Sequence, residues 1–192
     1  MRYVYLGAAL VVAAVGAYAL GVLLRPAPEM AGTALTNPVS VEGLALVDHH
    51  GEVATLADDF RGDVTLVFFG FTRCPDVCPL TMARLARIYE SLGEPDGLQV
   101  VMVTVDPEHD TPEVLGQYVT GYHPDFVGLT GTTSDVAAAA RAFFVGYAGL
   151  DRDIVHTDVV AVLDRGGSLR FVYGQDDVMF LERDLPDLIR RL

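Results

Sequence analysis

The chain has 192 residues, of which 51% are hydrophobic, and a formal net charge of −13. This length and apolar content suit one hydrophobic core, and the negative charge disfavours binding to the phosphate backbone of a nucleic acid. All 13 basic residues are arginine, so the chain lacks the lysine on which Schiff-base enzymes and P-loop nucleotide-binding proteins depend.

The first predicted element is a membrane span, because Val4–Leu24 is an uncharged apolar run long enough to cross a bilayer as a helix. Arg2 before this run and an acidic stretch after it favour a cytoplasmic N-terminus. A cleaved signal peptide ending near Ala19, or a buried core helix, would be the alternatives. We therefore predict an anchor over residues 1–25, a linker over 26–42 and one domain over 43–192, on the outer face of the cytoplasmic membrane.

The linker prediction rests on several prolines and the absence of hydrophobic periodicity in residues 26–42. A hairpin follows, with strands over 44–47 and 53–56 joined by a turn that contains His49 and His50. Adjacent histidines in a turn are usually exposed and seldom converge on one ion, so we interpret both as solvated.

The rest of the chain alternates between predicted strands and helices. Strands are expected over 64–69, 98–105, 126–129, 159–163 and 169–173, and helices over 81–92, 112–122, from a cap at Thr133 or Ser134 to about Phe144, and over 185–192. The nearly continuous apolar strand 64–69 indicates a sheet covered on both faces. The pattern therefore predicts an α/β sandwich of thioredoxin type with an insertion and a late antiparallel hairpin.

Two cysteines directly follow the central predicted strand, where ligands commonly bind open α/β sheets. Pro79 suits the first turn of a helix, so Cys78 should lie at a helix N-terminus, where backbone N–H dipoles favour a thiolate. Arg73 would add positive potential. A disulfide between Cys74 and Cys78 would close too short a loop to stabilise the fold much, so the pair indicates chemistry, either as metal ligands or as a redox pair.

Two thiolates select soft metals such as Cu(I), and one added imidazole would also accommodate Cu(II). His109 and His123 lie in polar loop or helix-end settings, and we interpret them as solvated surface residues. His156 precedes the predicted strand 159–163, from which it could reach the cysteine loop. On spacing alone, a purely structural loop histidine remains an equal alternative.

The chain from Val41 to Leu192 resembles the Sco/SenC family of copper chaperones for cytochrome oxidase assembly. The resemblance lies in Phe69-Gly70-Phe71-Thr72, Cys74-Pro75-Asp76-Val77-Cys78-Pro79, Val105-Asp106-Pro107-Glu108-His109-Asp110-Thr111, Gly128-Leu129-Thr130-Gly131, His156-Thr157 and Phe171-Val172-Tyr173-Gly174. It implies a thioredoxin-like fold behind one membrane anchor, with Cys74, Cys78 and His156 as copper ligands. It also implies that Asp106 shapes the site around those ligands, and we name Asp76, between the cysteines, as a further candidate for contact with them.

The chain departs from the family pattern beside the histidine. Val155 stands where an aspartate usually precedes the histidine, and Asp158 occupies a normally apolar position. Such neighbours orient a metal-binding imidazole, so copper affinity or oxidation-state preference is expected to differ.

The resemblance implies copper delivery to the copper-bearing subunit of cytochrome c oxidase, with an upstream copper donor and a thiol reductant as further partners. A thiol–disulfide oxidoreductase that reduces the cysteines of the oxidase copper site is the alternative function. A copper or redox sensor would require a signalling partner that the sequence does not reveal, and a peroxidase would require one strongly activated thiol.

Overall fold

The computed structural model describes residues 14–18, 21, 29–149 and 154–192. Most of the predicted membrane span Val4–Leu24 lies outside these residues. Among the residues that are described, no helix combines the length and the apolar character needed to cross a membrane. Residues Ala31–Leu192 form one compact unit.

Within the described residues, strands and helices follow one another in the order expected of an α/β domain. The strands are β1 Thr33–Ser40, β2 Ala45–Asp48, β3 Val53–Thr55, β4 Val64–Gly70, β5 Leu98–Thr104, β6 Val127–Thr130, β7 Tyr147–Ala148, β8 Val155–His156, β9 Val159–Leu163 and β10 Ser168–Gly174. The helices are α1 Val77–Ser91, α2 Pro112–Thr120, α3 Thr133–Ala142 and α4 Leu181–Arg191, with a 3-10 turn over Val178–Phe180.

Eight of the strands form one mixed sheet in the order β1-β10-β9-β4-β5-β6-β2-β3. Strands β4, β5 and β6 are parallel, whereas β9 pairs antiparallel with β4 and β2 pairs antiparallel with β6. Strands β7 and β8 form a separate two-stranded ribbon. The predicted α/β class, with an N-terminal hairpin and a late antiparallel hairpin, is confirmed.

The centre of the sheet follows from the apolar pattern of its strands. All seven residues of β4 are buried, as expected for a strand covered on both faces. Helix α1 buries Met82, Leu85 and Ile88 on one face, which matches the helical spacing of these residues in the sequence. The parallel strands therefore end at one edge of a rigid layer, and the loop after β4 carries the two cysteines.

The expected linker is wrong for Thr33–Ser40, which forms β1 against β10 with a shift in register between Ala34 and Val39. Most side chains of β1 are exposed, and Pro38 is tolerated because an edge strand leaves one side of its backbone unpaired. Main-chain hydrogen bonds rather than an apolar face hold this strand, so it produces no hydrophobic periodicity.

Three helix starts also differ from the sequence-based expectation. Helix α1 begins at Val77, earlier than the expected 81. Helix α3 is capped by Thr132, whose side chain accepts a hydrogen bond from the backbone N–H of Asp135, so neither Thr133 nor Ser134 is the cap. Helix α4 begins at Leu181, earlier than the expected 185, because it continues directly from the 3-10 turn without a capping side chain.

Candidate metal centre

The loop that carries the cysteines connects the end of β4 to the start of α1. The backbone N–H of Cys74 donates a hydrogen bond to the carbonyl of Phe71 at 3.2 Å, which makes a tight turn directly after the strand. Helix α1 begins at Val77, so Cys78 and Pro79 lie in its first turn, as predicted. Gly70 is required here because a Cβ at this position would lie 3.0 Å from Cys78 Sγ and 2.7 Å from the ring of Phe68.

Two sulfurs and one imidazole converge beyond this loop. One ligand atom each from Cys74, Cys78 and His156 lies within 4.8 Å of the other two. Cys78 Sγ lies 3.3 Å from His156 Nε2. The fold therefore brings together three groups that a metal ion could bind at once, across a sequence separation of 78 residues.

The β7–β8 ribbon positions His156. Its backbone pairs with Tyr147, and the ring nitrogen Nδ1 lies 3.2 Å from the carbonyl oxygen of Thr157. A carbonyl can only accept, so Nδ1 carries the proton and Nε2 presents its lone pair towards the thiols. The rings of Phe68 and Phe71 meet the imidazole edge-on at 6.1 Å and 6.0 Å. The Thr157 carbonyl therefore orients the imidazole, so a carboxylate at the position of Val155 is not required for that orientation.

Burial decides the protonation of the inner thiol. Cys78 has no exposed surface, and this burial raises its pKa far above the ordinary thiol range. The thiolate expected from the helix N-terminus is therefore wrong for Cys78 in the absence of metal, since loss of solvation outweighs the backbone dipoles. Cys74 is only half-buried, so the pair is asymmetric in its access to solvent.

The raised pKa of Cys78 predicts that the reduced, metal-free protein loses stability in mild alkali. Above the unfolded thiol pKa of about 8.5, the unfolded chain releases the Cys78 proton while the folded chain retains it. The free energy of unfolding should then fall with pH by up to about 1.4 kcal/mol per unit. Below about pH 8.5 both states hold the proton, and this contribution vanishes.

Urea unfolding of the reduced protein between pH 7.5 and 9.5 measures this slope. Cys78→Ala removes the buried thiol and should flatten the slope, whereas Cys74→Ala should change it less because that side chain is partly solvated. Equal slopes in the parent and Cys78→Ala would contradict the proposed effect of burial.

Arg73 and Asp106 form a partly buried ion pair beside the cysteine loop. Arg73 Nη2 donates to Asp106 Oδ2 at 2.7 Å, and Asp106 Oδ1 lies 3.0 Å from Nδ1 of His109. The carboxylate of Asp106, with only 6% of the residue exposed, thus offsets the positive charge expected from Arg73. Asp106 contacts the residue before Cys74 and so acts on the loop. Asp76 is exposed at the N-cap of α1 and makes no capping hydrogen bond.

A second buried carboxylate, that of Asp110, links the cysteine loop to the loop after β5. The sequence pattern did not identify this role. Asp110 is fully buried and accepts hydrogen bonds from Thr72 N at 3.0 Å, Thr72 Oγ1 at 2.5 Å and Thr104 Oγ1 at 2.6 Å. The hydroxyl of Thr104 also accepts a bond from the backbone N–H of Asp106 at 3.0 Å. The position of Asp110 in a sequence motif was the available signal, but its partner Thr72 lies 38 residues away in the chain.

Two of the histidines expected to be solvated are packed instead. His49 Nδ1 accepts a hydrogen bond from Gly128 N at 3.1 Å, and burial lowers the pKa of this histidine. His123 is only 6% exposed and meets the ring of Tyr89 edge-on. Both residues fill gaps between elements that are distant in sequence, so local polarity gave a wrong expectation. His50 is exposed, as predicted.

His123 also belongs to a second group of potential metal ligands, with Glu94 and Asp125. Its Nδ1 accepts a hydrogen bond from the backbone N–H of Asp125 at 3.2 Å. The neutral ring then carries its proton on Nε2, which points towards Glu94 at 3.7 Å. Neither ring nitrogen presents a free lone pair, so this hydrogen bonding fits a structural histidine rather than a metal ligand.

The group formed by Cys74, Cys78 and His156 differs from this second group in its chemistry. Two sulfurs and one Nε2 lone pair match the preferences of copper, with the thiols favouring Cu(I) and the imidazole also accepting Cu(II). The same sulfurs lie close enough for a disulfide to be an alternative state. The site can therefore hold a soft metal ion or exchange electrons as a dithiol.

Comparisons with known proteins agree with this chemistry. A family model described as SCO1/SenC matches residues 36–184. The human mitochondrial SCO2 homolog is 37% identical over 139 residues, which are 68% of this chain and 52% of that protein. The chain thus spans about half the length of this relative.

Solved structures extend the agreement to the fold. Apo Sco1 from Thermus thermophilus superposes with a TM-score of 0.74 at 38% identity, covering 85% of this chain and 98% of that structure. Copper-bound ScoI from Arabidopsis thaliana gives a TM-score of 0.71 at 29% identity, covering 81% of this chain and 98% of that structure. On its sequence and its fold, the chain belongs to the SCO1/SenC family.

Proposed function

We propose that this protein is a copper chaperone that binds copper through Cys74, Cys78 and His156. The observation that carries the proposal is the convergence of two sulfurs and one imidazole nitrogen within 4.8 Å. Family membership and a related structure with copper bound support copper rather than another thiophilic metal. The proposed client is the copper-bearing subunit of cytochrome c oxidase, with its binuclear copper centre, as the Sco/SenC resemblance implies.

Each of the three residues has a distinct part in uptake and release. Cys78 gives up its proton when the metal binds, because only the thiolate is a ligand. His156 offers Nε2 from a ring already held at Nδ1 by the Thr157 carbonyl. Cys74 is the more accessible sulfur, so it is the ligand that client groups reach first when copper is exchanged.

The remaining parts of the proposal concern place and partners. The apolar run Val4–Leu24 anchors the chain in the cytoplasmic membrane, with the domain on the outer face, near a membrane-bound oxidase. An upstream donor supplies copper, and a thiol reductant returns an oxidised pair to the dithiol state that binds metal.

A second candidate function is reduction of the client's cysteines. It is favoured by one observation, the pairing of a half-buried Cys74 with a fully buried Cys78. The Cys74 thiolate would attack a client disulfide, and Cys78 would then displace the second client thiol and close a Cys74–Cys78 disulfide. Two electrons and two protons pass to the client, and His156 takes no necessary part.

One pair of assays separates the two functions. The full chain in detergent micelles is loaded anaerobically with Cu(I) and mixed with the apo, dithiol form of an oxidase subunit II copper domain. Copper transfer is measured after the proteins are separated. In parallel, the metal-free reduced chain is mixed with the disulfide form of the same domain. For the chaperone function we expect His156→Ala, whose Cu(I) affinity should be about tenfold lower, to deliver less copper than the parent and to leave disulfide reduction unchanged.

His50→Ala is the matched control, because it removes an exposed histidine from the hairpin turn. It should transfer copper like the parent. Transfer at the parental rate by His156→Ala, together with loss of disulfide reduction in the cysteine variants, would favour the reductase. Absence of copper transfer from the parent would refute delivery to this client.

A further inference from the structure

A groove with a cavity volume of about 440 Å³ opens next to the thiols. Its lining includes Val77, Leu80 and Thr81 from α1, and Met179 from the turn before α4. Asp158, from the short connection between β8 and β9, also lines the groove. We call this space the thiol-side groove.

The lining of the thiol-side groove includes chain neighbours of two ligands of the candidate metal centre. Val77 directly precedes Cys78, and Asp158 is the second residue after His156. A chain segment that lies in the groove would therefore lie beside both ligands. Copper can pass by ligand exchange only when the receiving ligands come within bonding distance of the donor, so a client has to cover this part of the surface.

The rim of the groove carries two large apolar side chains in water. Leu80 is 64% exposed and Met179 is 62% exposed. A single exposed apolar residue is ordinary, but two that face the same groove beside a reactive site are typical of a surface that is covered by a partner. Methionine is flexible and adapts to different apolar surfaces.

The floor of the groove adds a charge preference. Asp158 Oδ1 is buried and, among the described residues, has no hydrogen-bond partner. Arg84 of α1 also lines the groove. A buried carboxylate oxygen without a partner is costly, and a cation in the groove would reduce that cost. The net charge of −13 would also attract a basic partner.

We propose that the thiol-side groove receives a segment of the copper client that carries an apolar side chain and a basic side chain. The apolar side chain covers Leu80 and Met179, and the basic one lies near Asp158. This inference rests on the proposed function, because it names the docking surface for the same copper client. The occupant of the groove is a client polypeptide, and self-association of the chain through the groove would oppose the proposal.

Binding is measured with the full chain in detergent micelles, loaded with Cu(I), and the apo dithiol copper domain of an oxidase subunit II as probe. The double variant Leu80→Gln/Met179→Gln should weaken Kd about tenfold or more, as for the central side chains of other interfaces. Its own Cu(I) affinity should stay at the parental value. Asp158→Asn should weaken binding in low salt, and the difference from the parent should shrink in high salt.

The double variant Val53→Gln/Val114→Gln is the matched control, because both valines are exposed and neither lines the groove. Its Kd should equal that of the parent. Equal weakening in the two double variants, or a Kd unchanged by Leu80→Gln/Met179→Gln, would overturn the docking surface. A dimer of the parent that dissociates in Leu80→Gln/Met179→Gln would also overturn the docking surface. Parental copper transfer by the groove variant would refute the groove and spare the chaperone function, whereas absence of transfer from the parent would refute the function itself.

Discussion

Replacing either cysteine is expected to lower Cu(I) affinity about a thousandfold. Structural metal sites in small proteins bind with about 10–16 kcal/mol spread over three or four ligands, so one lost ligand costs about 4 kcal/mol. Cys74→Ser and Cys78→Ser keep the size of each side chain while removing a soft thiolate. Anaerobic competition against a Cu(I) chelator measures the affinity of each variant.

His156→Ala should separate the two copper oxidation states. Two thiolates alone still suit Cu(I), so its affinity should fall only about tenfold, whereas Cu(II) prefers imidazole and should lose considerably more. His50→Ala, in the exposed turn, should leave both affinities unchanged. Circular dichroism checks that each variant is folded. Cu(I) affinity within tenfold of the parent in both cysteine variants would remove Cys74 and Cys78 from the ligand set.

The sequence could predict the part of the site that is local. The buried run of β4, the two cysteines after it and Pro79 in the following helix are neighbours in the chain, and simple rules for strand ends and helix starts placed them. The predicted hairpins and central strands were confirmed for the same reason, since each depends on the periodicity of a short segment.

The remaining features depend on contacts between distant segments. His156 meets Cys78 only because β9 lies next to β4 in the sheet. Periodicity carries no information about that pairing, so the family resemblance had to supply the histidine. The burial of His123 and the strand β1 escaped prediction in the same way. Tertiary packing determines the burial of His123, and pairing with an existing sheet edge determines the position of β1.

The protonation state of Cys78 shows how two effects on a thiol pKa can conflict. A helix N-terminus lowers a thiol pKa, and an apolar environment raises it. The sequence reveals the first because Pro79 marks the helix start. The second depends on how completely the surrounding elements cover the sulfur, which is known only once the whole layer is folded.

Removing the carboxylate of Asp110 should be the most destabilising single change beside the site. Asp110→Ala removes a fully buried acceptor from the backbone N–H and hydroxyl of the part-buried Thr72 and from the hydroxyl of the buried Thr104. Hydrogen bonds to a charged group contribute about 1.5–3 kcal/mol each, and these three act as one network, so a loss of about 3–5 kcal/mol is expected. Urea unfolding measures it.

Asp59 offers a matched control on the surface. It accepts hydrogen bonds from Thr55 N at 2.6 Å and Thr55 Oγ1 at 2.7 Å, the same pair of threonine donors that Thr72 presents to Asp110. Because Asp59 is exposed, water replaces the carboxylate in Asp59→Ala, and the cost should be about 1 kcal/mol or less. Asp110→Asn keeps the size and is expected to remain folded, with weaker Cu(I) binding because the cysteine loop is less firmly held. Equal costs for Asp110→Ala and Asp59→Ala would mean that the buried network does not fasten this loop.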